Sequence, residues 1–235
     1  MIVGDGQIAN YFKHKDVPES WVIFASGVSN SSCTSRFDFE REKNLIIKTL
    51  REHPGHLFIY FSSCFLADEA TQKIEYYSHK LCIEKLIKQS TENFLVIRIP
   101  QVFFYPTRRS TIINFLYFSI LDRREFELNN LATRYLIDLE DLYSVVKDLA
   151  RWPSGTFNIA NPYKYQVTEI VQIIEEITNI KARFSTFSKI DGYDLDLEDL
   201  SLLSTPNRDR LSGQLYFEDR MKSYHNSYSK KITFK

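Results

Sequence analysis

The sequence predicts an α/β fold built on a parallel sheet covered on both faces, and three observations carry that prediction. The apolar runs Trp21–Ala25, Leu57–Phe61 and Phe94–Ile99 lack the polar alternation of half-exposed strands. Stretches of helical period separate them. Each run stops at small or turn-forming residues, namely Ser26-Gly27, Ser62-Ser63 and Pro100. At 235 residues, with 43% hydrophobic and 26% charged residues, the chain is long enough for a real core and has the composition of a globular protein.

The elements follow in order. Met1-Ile2-Val3 is a short strand that meets Gly4-Asp5-Gly6, after which Gln7 to Phe12 carries apolar residues at helical spacing. The strand Trp21–Ala25 leads to a helix expected over residues 39–51, with Leu45, Ile46 and Leu50 inward and Asn44 and Lys48 outward. After Leu57–Phe61 a long helix is expected over 71–88, then the strand Phe94–Ile99. Beyond Pro106 the rhythm changes. A helix is expected over 112–121, a short strand over 135–137, and an acidic-started amphipathic helix over 138–150 with Asp141 near its N-terminus. A strand over 155–160 and a helix over 167–177, capped by Gln166 or Thr168, come next. The polar, basic stretch from residue 222 has no apolar period and is expected to be a flexible tail.

Thirty basic and thirty acidic side chains cancel. A neutral surface lacks the single-sign field of a nonspecific nucleic-acid or membrane binder, so neither partner is expected and any anion must be gripped locally. Cys33, Cys64 and Cys82 form no CxxC pair, and the five histidines form no HxxxH or HExxH arrangement, so no metal site is expected. Free thiols, no leader-like start and no apolar stretch of membrane-spanning length lead to the expectation of a cytoplasmic protein.

Two motifs carry chemistry. Gly4-x-Gly6-x-x-Ala9, between a strand and a helix, has the dinucleotide-binding pattern: a tight turn, close backbone approach to a pyrophosphate, and close helix–strand packing. Ser62-Ser63 at a strand end precedes Tyr76-x-x-x-Lys80, whose spacing puts phenol and ammonium on one helix face. A lysine charge there lowers a phenol's pKa, and a nearby serine hydroxyl orients the oxygen whose proton moves. Taken alone, the tyrosine–lysine spacing is also what an ordinary amphipathic helix with a surface lysine produces.

Together with later segments these motifs resemble the extended short-chain dehydrogenase/reductases that act on nucleotide sugars, the NAD-dependent epimerase/dehydratase family. The segments are Val22-Ile23-Phe24-Ala25-Ser26-Gly27, Phe61-Ser62-Ser63, Leu95-Val96-Ile97-Arg98-Ile99-Pro100-Gln101-Val102-Phe103, Arg134 to Leu142, and Gly155-Thr156-Phe157-Asn158-Ile159-Ala160, in the family's order. The resemblance implies a Rossmann-like, doubly wound parallel sheet with a small C-terminal substrate-binding lobe. The sheet domain would take in 1–104 and about 136–160, and the lobe about 105–135 and 161–221. It implies a reductase or epimerase of a nucleotide-linked keto sugar, working by hydride transfer in polysaccharide or deoxysugar biosynthesis.

By the same resemblance Ser63, Tyr76 and Lys80 are catalytic, with Ser62 the fallback serine. Gly4, Gly6, Gln7, Ile8, Asp16, Ala25, Ser26, Gly27, Ser62, Lys80 and Pro100 line the NAD or NADP site, and Lys13 and Lys15 weakly favour NADP. Asn30, Gln101, Arg134 and Arg208 contact the substrate, Arg134 on its diphosphate, where a planar guanidinium suits paired phosphate oxygens. Arg210 is a further cation near Arg208. The helices over 39–51 and 71–88 would form a homodimer.

Two departures sharpen the reading. Only Lys13 to Ser20 separates the first helix from the second strand, too few residues for the strand–helix–strand excursion that completes the adenosine pocket. His14-Lys15-Asp16-Val17 is its expected remnant. A noncatalytic nucleotide-binding or scaffold protein is the alternative this shortening raises. Where dehydrating members carry Asp-Glu, this chain has Cys64-Phe65, which disfavours elimination of water.

Overall fold

A computed structural model describes residues 1–103 and 111–233 of the chain. The expected domain boundary at 104–105, the change of rhythm beyond Pro106 and the last two residues of the expected tail lie outside the described residues. The chain divides into two compact units.

In chain order the elements begin with β1 (Ile2–Val3), α1 (Gln7–Phe12), β2 (Trp21–Phe24), α2 (Arg36–Glu52) and β3 (Leu57–Ser63). Next come α3 (Glu75–Ser90), β4 (Phe94–Ile99), β5 (Gln101–Phe103), α4 (Ile112–Leu121), β6 (Glu125–Asn129), β7 (Thr133–Arg134) and β8 (Leu136–Asp138). Then follow α5 (Leu139–Leu149), β9 (Gly155–Asn158), β10 (Tyr165–Gln166), α6 (Val167–Thr178), β11 (Arg183–Phe187), α7 (Thr205–Leu211) and α8 (Tyr216–Thr233).

The first unit takes in residues 1–99, 143–159 and 194–204. Its sheet has the order β1-β2-β3-β4-β9 and every pairing is parallel, as the continuous apolar runs predict. Val22, Phe24, Phe58, Tyr60 and Val96 face Ile46 of α2 and Ile83 and Ile87 of α3, all of them buried. Burying such a side chain contributes about 1.5–3 kcal/mol, so this layer is a large part of the unit's stability. Residues of the opposite pleat face the other way: the Phe61 ring lies 5.7 Å from Phe12 of α1, which also meets Tyr143 of α5.

The helix α1 is thus on one face of the sheet, and α2 and α3 are on the other. Because β1, β2, β3 and β4 step across the sheet in one direction, the β1–α1–β2 crossover has the opposite hand to the two that follow. Parallel crossovers share one hand in about 98% of cases. A doubly wound sheet of order 3-2-1-4-5-6 explains the exception: its first helix belongs to the half wound outward from strand 1. Here that half is missing, so α1 keeps its face while the chain passes directly to the strand on the other side. Among the described residues β1 is the sheet edge.

The second unit takes in residues 100–142, 160–193 and 205–235. It contains three two-stranded sheets, β5–β8, β6–β11 and β7–β10. The capping box of α6 pairs Gln166 with Glu169, which makes Gln166 the expected cap. The stretch from residue 222, expected to be a flexible tail, is instead helical through Thr233. Aromatic packing holds it: Tyr224 is buried, and Tyr224 and Tyr228 meet Tyr117 of α4 at 5.2 and 6.1 Å between ring centres. Tyr224 and Tyr228, four residues apart, supply with aromatic rings the helical period that aliphatic residues would otherwise announce. Among the described residues no helix is long and apolar enough to cross a membrane, and no cluster of His, Cys, Asp and Glu is placed to hold a metal ion.

Candidate functional site

The first unit brings its predicted residues to the carboxyl ends of parallel strands, where open α/β sheets bind ligands. Gly4 and Gly6 follow β1; Ala25, Ser26 and Gly27 follow β2; Ser62 and Ser63 end β3. Gly4 has φ +126°, and a Cβ there would sit 2.5 Å from the Ala25 carbonyl oxygen, so only glycine allows this turn to pass so close to β2. Gly6 is the N-cap of α1, and a Cβ on it would meet only the Ala25 oxygen, at 3.8 Å. Gln7 and Ile8 form the first turn of that helix.

Helix α3 presents Tyr76, Lys80, Glu84 and Ile87 on one buried stripe at helical spacing. The Lys80 ammonium lies 5.6 Å from the centre of the Tyr76 ring. It donates to the Tyr60 hydroxyl at 2.8 Å and to Glu42 Oε1 at 3.2 Å. Glu42, fully buried on α2, also accepts from Tyr60 at 2.7 Å and, on Oε2, from the Val28 amide at 2.8 Å and His79 Nε2 at 3.0 Å. Burial pushes the Glu42 carboxyl up, but the His79, Lys80, Val28 and Tyr60 interactions outweigh it and hold the group at about 2. Gly27 is required here for a reason besides any ligand: a Cβ on it would lie 2.8 Å from both Glu42 Oε1 and Lys80 Nζ.

The two serines separate cleanly. Ser62 is buried and donates to Glu84 Oε1 at 2.6 Å, while Arg98 grips both Glu84 oxygens at 2.9 and 2.8 Å. Its hydroxyl serves that network. Ser63 is half-buried, and among the described residues its Oγ accepts a 3.3 Å bond from the Phe65 amide, so it is the better placed of the two for a ligand. Cys64, in the position where dehydrating members of the family it resembles carry an acid, is buried and donates to the Arg98 carbonyl at 3.0 Å. Burial pushes its thiol pKa up, which keeps it from acting as an acid.

The remaining residues of this unit are less engaged with the site. Asp16 is exposed, and its carbonyl accepts from the Tyr143 hydroxyl. Asn30 is exposed and caps a turn by accepting from the Ser32 amide. The Ser26 carbonyl accepts from Arg41. Lys13 is paired with Asp5 at 2.8 Å, and Lys15 lies 4.7 Å over the Tyr11 ring.

A nicotinamide dinucleotide fits part of this arrangement. The backbone at Gly6 is open enough for a pyrophosphate to approach, and by the resemblance Ser63, Tyr76 and Lys80 would be at the nicotinamide end. Among the described residues no strand lies beyond β1, where strands would flank adenosine.

Pro100, Gln101, Arg134 and Arg208 belong to the second unit. Pro100 is buried, and the Gln101 amide donates to the Val102 carbonyl at 3.2 Å. Arg134 is held by Asp191, Nη2 to Oδ2 at 2.6 Å, and donates to the Thr133 and Asp191 carbonyls. Arg208 is half-buried on α7, and Arg210 pairs with Asp141 at 2.9 Å. Asp141 also accepts from Tyr216 and Arg220, each at 2.7 Å.

Beside this cluster Asp138 is buried, and burial together with the Asp141 charge pushes its carboxyl up to about 7. A carboxyl raised in the fold favours folding while protonated. That contribution is present below about pH 4 and is lost as pH rises towards 7. Asp138→Asn keeps the acceptor for the Glu140 amide and removes the charge. It is expected to gain about 2–4 kcal/mol over wild type between about pH 4 and pH 8, measured by urea unfolding at each pH.

Sequence reasoning missed Glu42, Tyr60 and His79. A signal for Glu42 was present, since positions 42, 46 and 49 form the buried face of α2 and a carboxylate on such a stripe needs partners.

No protein-family model matches the chain and no curated protein matches it. Solved structures do. UDP-N-acetylglucosamine 4-epimerase from Methanobrevibacter ruminantium, in complex with UDP-N-acetylmuramic acid, is 13% identical with a TM-score of 0.73, over 97% of this chain and 81% of that one. A variant of UDP-glucuronic acid 4-epimerase from Bacillus cereus, in complex with a fluorinated UDP-glucuronic acid and NAD, is 14% identical with a TM-score of 0.71, over 97% and 79%. A dTDP-glucose 4,6-dehydratase from Bacillus anthracis in complex with NAD is 12% identical with a TM-score of 0.68, over 94% and 75%. The chain therefore has, in shortened form, the Rossmann-like α/β fold of these nucleotide-sugar epimerases and this dehydratase.

Proposed function

We propose that this protein is an enzyme of nucleotide-sugar metabolism, a reductase or epimerase that works with NAD or NADP on a nucleotide-linked keto sugar. The observation that carries the reading is the Tyr76–Lys80 pair on α3, with the Lys80 ammonium 5.6 Å from the Tyr76 ring, in the unit that also holds Ser63 at the end of β3 and the glycine turn after β1. A nicotinamide bound at the strand ends would supply or take up the hydride. The protein's own residues handle the proton and the geometry. Tyr76 exchanges a proton with the substrate oxygen, Ser63 orients that oxygen by a hydrogen bond, and Lys80, held by Tyr60 and Glu42, stands on the same helix face as Tyr76. Arg134 would meet the diphosphate of the substrate. Elimination of water is disfavoured, because Cys64 and Phe65 supply neither the acid nor the base it needs.

A second reading is a noncatalytic nucleotide-binding protein, favoured by the position of β1 at the sheet edge. The test that separates the two is titration with NADH and NADPH, followed by nicotinamide fluorescence. Binding of either supports the enzyme, and no binding at about millimolar concentration supports the second reading. If one binds, Tyr76→Phe is expected to lower turnover of a keto-sugar nucleotide by about 10²-fold or more while changing cofactor affinity little. Equal turnover in the variant would remove Tyr76 from the chemistry.

A further inference from the structure

All four acceptor positions of the Glu42 carboxylate are filled: Oε1 by Tyr60 and Lys80, Oε2 by the Val28 amide and His79. In a tyrosine–lysine pair of this spacing, an uncompensated ammonium would favour phenolate. Here a carboxylate lies 3.2 Å from that ammonium, closer than the 5.6 Å between Lys80 Nζ and the Tyr76 ring. Seen from the phenol, the two charges form a dipole, whose field falls off faster than that of a single charge.

We propose that Glu42 is a positioning residue that fixes the Lys80 ammonium against Tyr60 and cancels its charge, so that Tyr76 stays a phenol at neutral pH and gives a proton to a substrate oxygen rather than taking one. The direction of proton transfer rests on the enzyme reading above, whereas the charge cancellation is a property of the free protein. Among the two hydride chemistries it favours the one that turns a ketone into an alcohol.

The other groups around the pair act in the same sense. Burial, then Tyr77, Glu42 and Cys33, push the Tyr76 hydroxyl above its ordinary range. The Lys80 ammonium is faced by Glu42 from α2, Tyr60 from β3 and Glu84 from its own helix. His79 reaches the second oxygen of Glu42 while its ring stacks on Phe39, 4.4 Å between centres.

The test is NMR of isotope-labelled tyrosine ring carbons in the full chain without substrate, with Tyr76→Phe assigning the resonance. In wild type the Tyr76 signal is expected to stay that of a phenol from about pH 6 to about pH 10. Burial pushes the Lys80 ammonium below its ordinary range and Glu42 opposes this, so in Glu42→Gln the Lys80 side-chain nitrogen is followed alongside; while it stays protonated, the Tyr76 midpoint is expected to fall by about one pH unit or more, a tenfold rise in ionisation. An unchanged midpoint overturns the proposal. If Glu42→Gln does not fold, the double variant Glu42→Gln/Lys80→Met removes both charges together and should titrate as wild type does. A wild-type Tyr76 that ionises at lower pH than in the double variant also overturns it. Neither result depends on turnover, so failure of the enzyme reading would show separately, as an inert protein with an intact titration shift.

Discussion

Lys80→Met is expected to lower the unfolding free energy by about 3–5 kcal/mol, the usual cost of breaking a buried ion pair from one side. The lysine is 3% exposed and its carboxylate partner 0%, so removing the ammonium leaves a buried carboxylate whose remaining ion-pair partner is His79 at 3.0 Å. Tyr60, His79 and the Val28 amide still donate to Glu42, which keeps the loss within that range. Adding Glu42→Gln should restore most of it, because two neutral side chains of similar volume replace the pair. Urea unfolding of both variants at neutral pH measures the two steps, and a double variant as unstable as the single one would show that packing rather than charge is at stake. The acid limb gives an independent check. With the Glu42 carboxyl held at about 2, below its ordinary value of 4.5, the ionised form stabilises the fold. That contribution, about 3 kcal/mol, is fully present above about pH 5 and is lost as pH falls towards 2. It should shrink in Lys80→Met.

The elements of the sheet were legible because burial on both faces writes itself as uninterrupted apolar runs. Trp21–Phe24, Leu57–Ser63 and Phe94–Ile99 are where the sequence puts them, and so is α4 at Ile112–Leu121. The missing half of the winding was legible as a shortage of residues between Phe12 and Trp21. Its consequence, a first crossover of opposite hand, was not, because handedness belongs to the arrangement of strands and leaves no local pattern. The pairing of β6 with β11 was equally silent: every residue from Arg183 to Phe187 is exposed, so no apolar period marks the strand. At the site, the tyrosine–lysine spacing could be read, whereas what neutralises the lysine could not. Glu42 is 38 residues upstream of Lys80, and only packing of α2 against α3 brings them together. The choice of Ser63 over Ser62 gains support from a partner of the same kind, Glu84 on α3, which claims the Ser62 hydroxyl.

Reduced nicotinamide mononucleotide is expected to bind within about tenfold of NADH, a difference of about 1.4 kcal/mol or less. In a complete doubly wound sheet the adenosine half of the cofactor lies against the strands wound outward from strand 1, and an acidic side chain on one of them holds the ribose. Here β1 is the edge of the described sheet, α1 has six residues, and the chain reaches β2 within the span 13–20. The cations nearest that edge are already engaged: Lys13 with Asp5, and Lys15 over Tyr11 and Tyr143. The turn at Gly4 and Gly6 remains to meet the phosphates, so the mononucleotide retains the contacts this unit offers while adenosine adds few. The same reasoning predicts that NADPH and NADH bind within about tenfold of each other, since neither lysine is poised for a 2′-phosphate. Fluorescence titration of the three reduced compounds decides the matter. A preference of about 10²-fold or more for NADH over the mononucleotide would mean that adenosine finds a wall formed by other residues, and a comparable preference for NADPH would return Lys13 or Lys15 to the site.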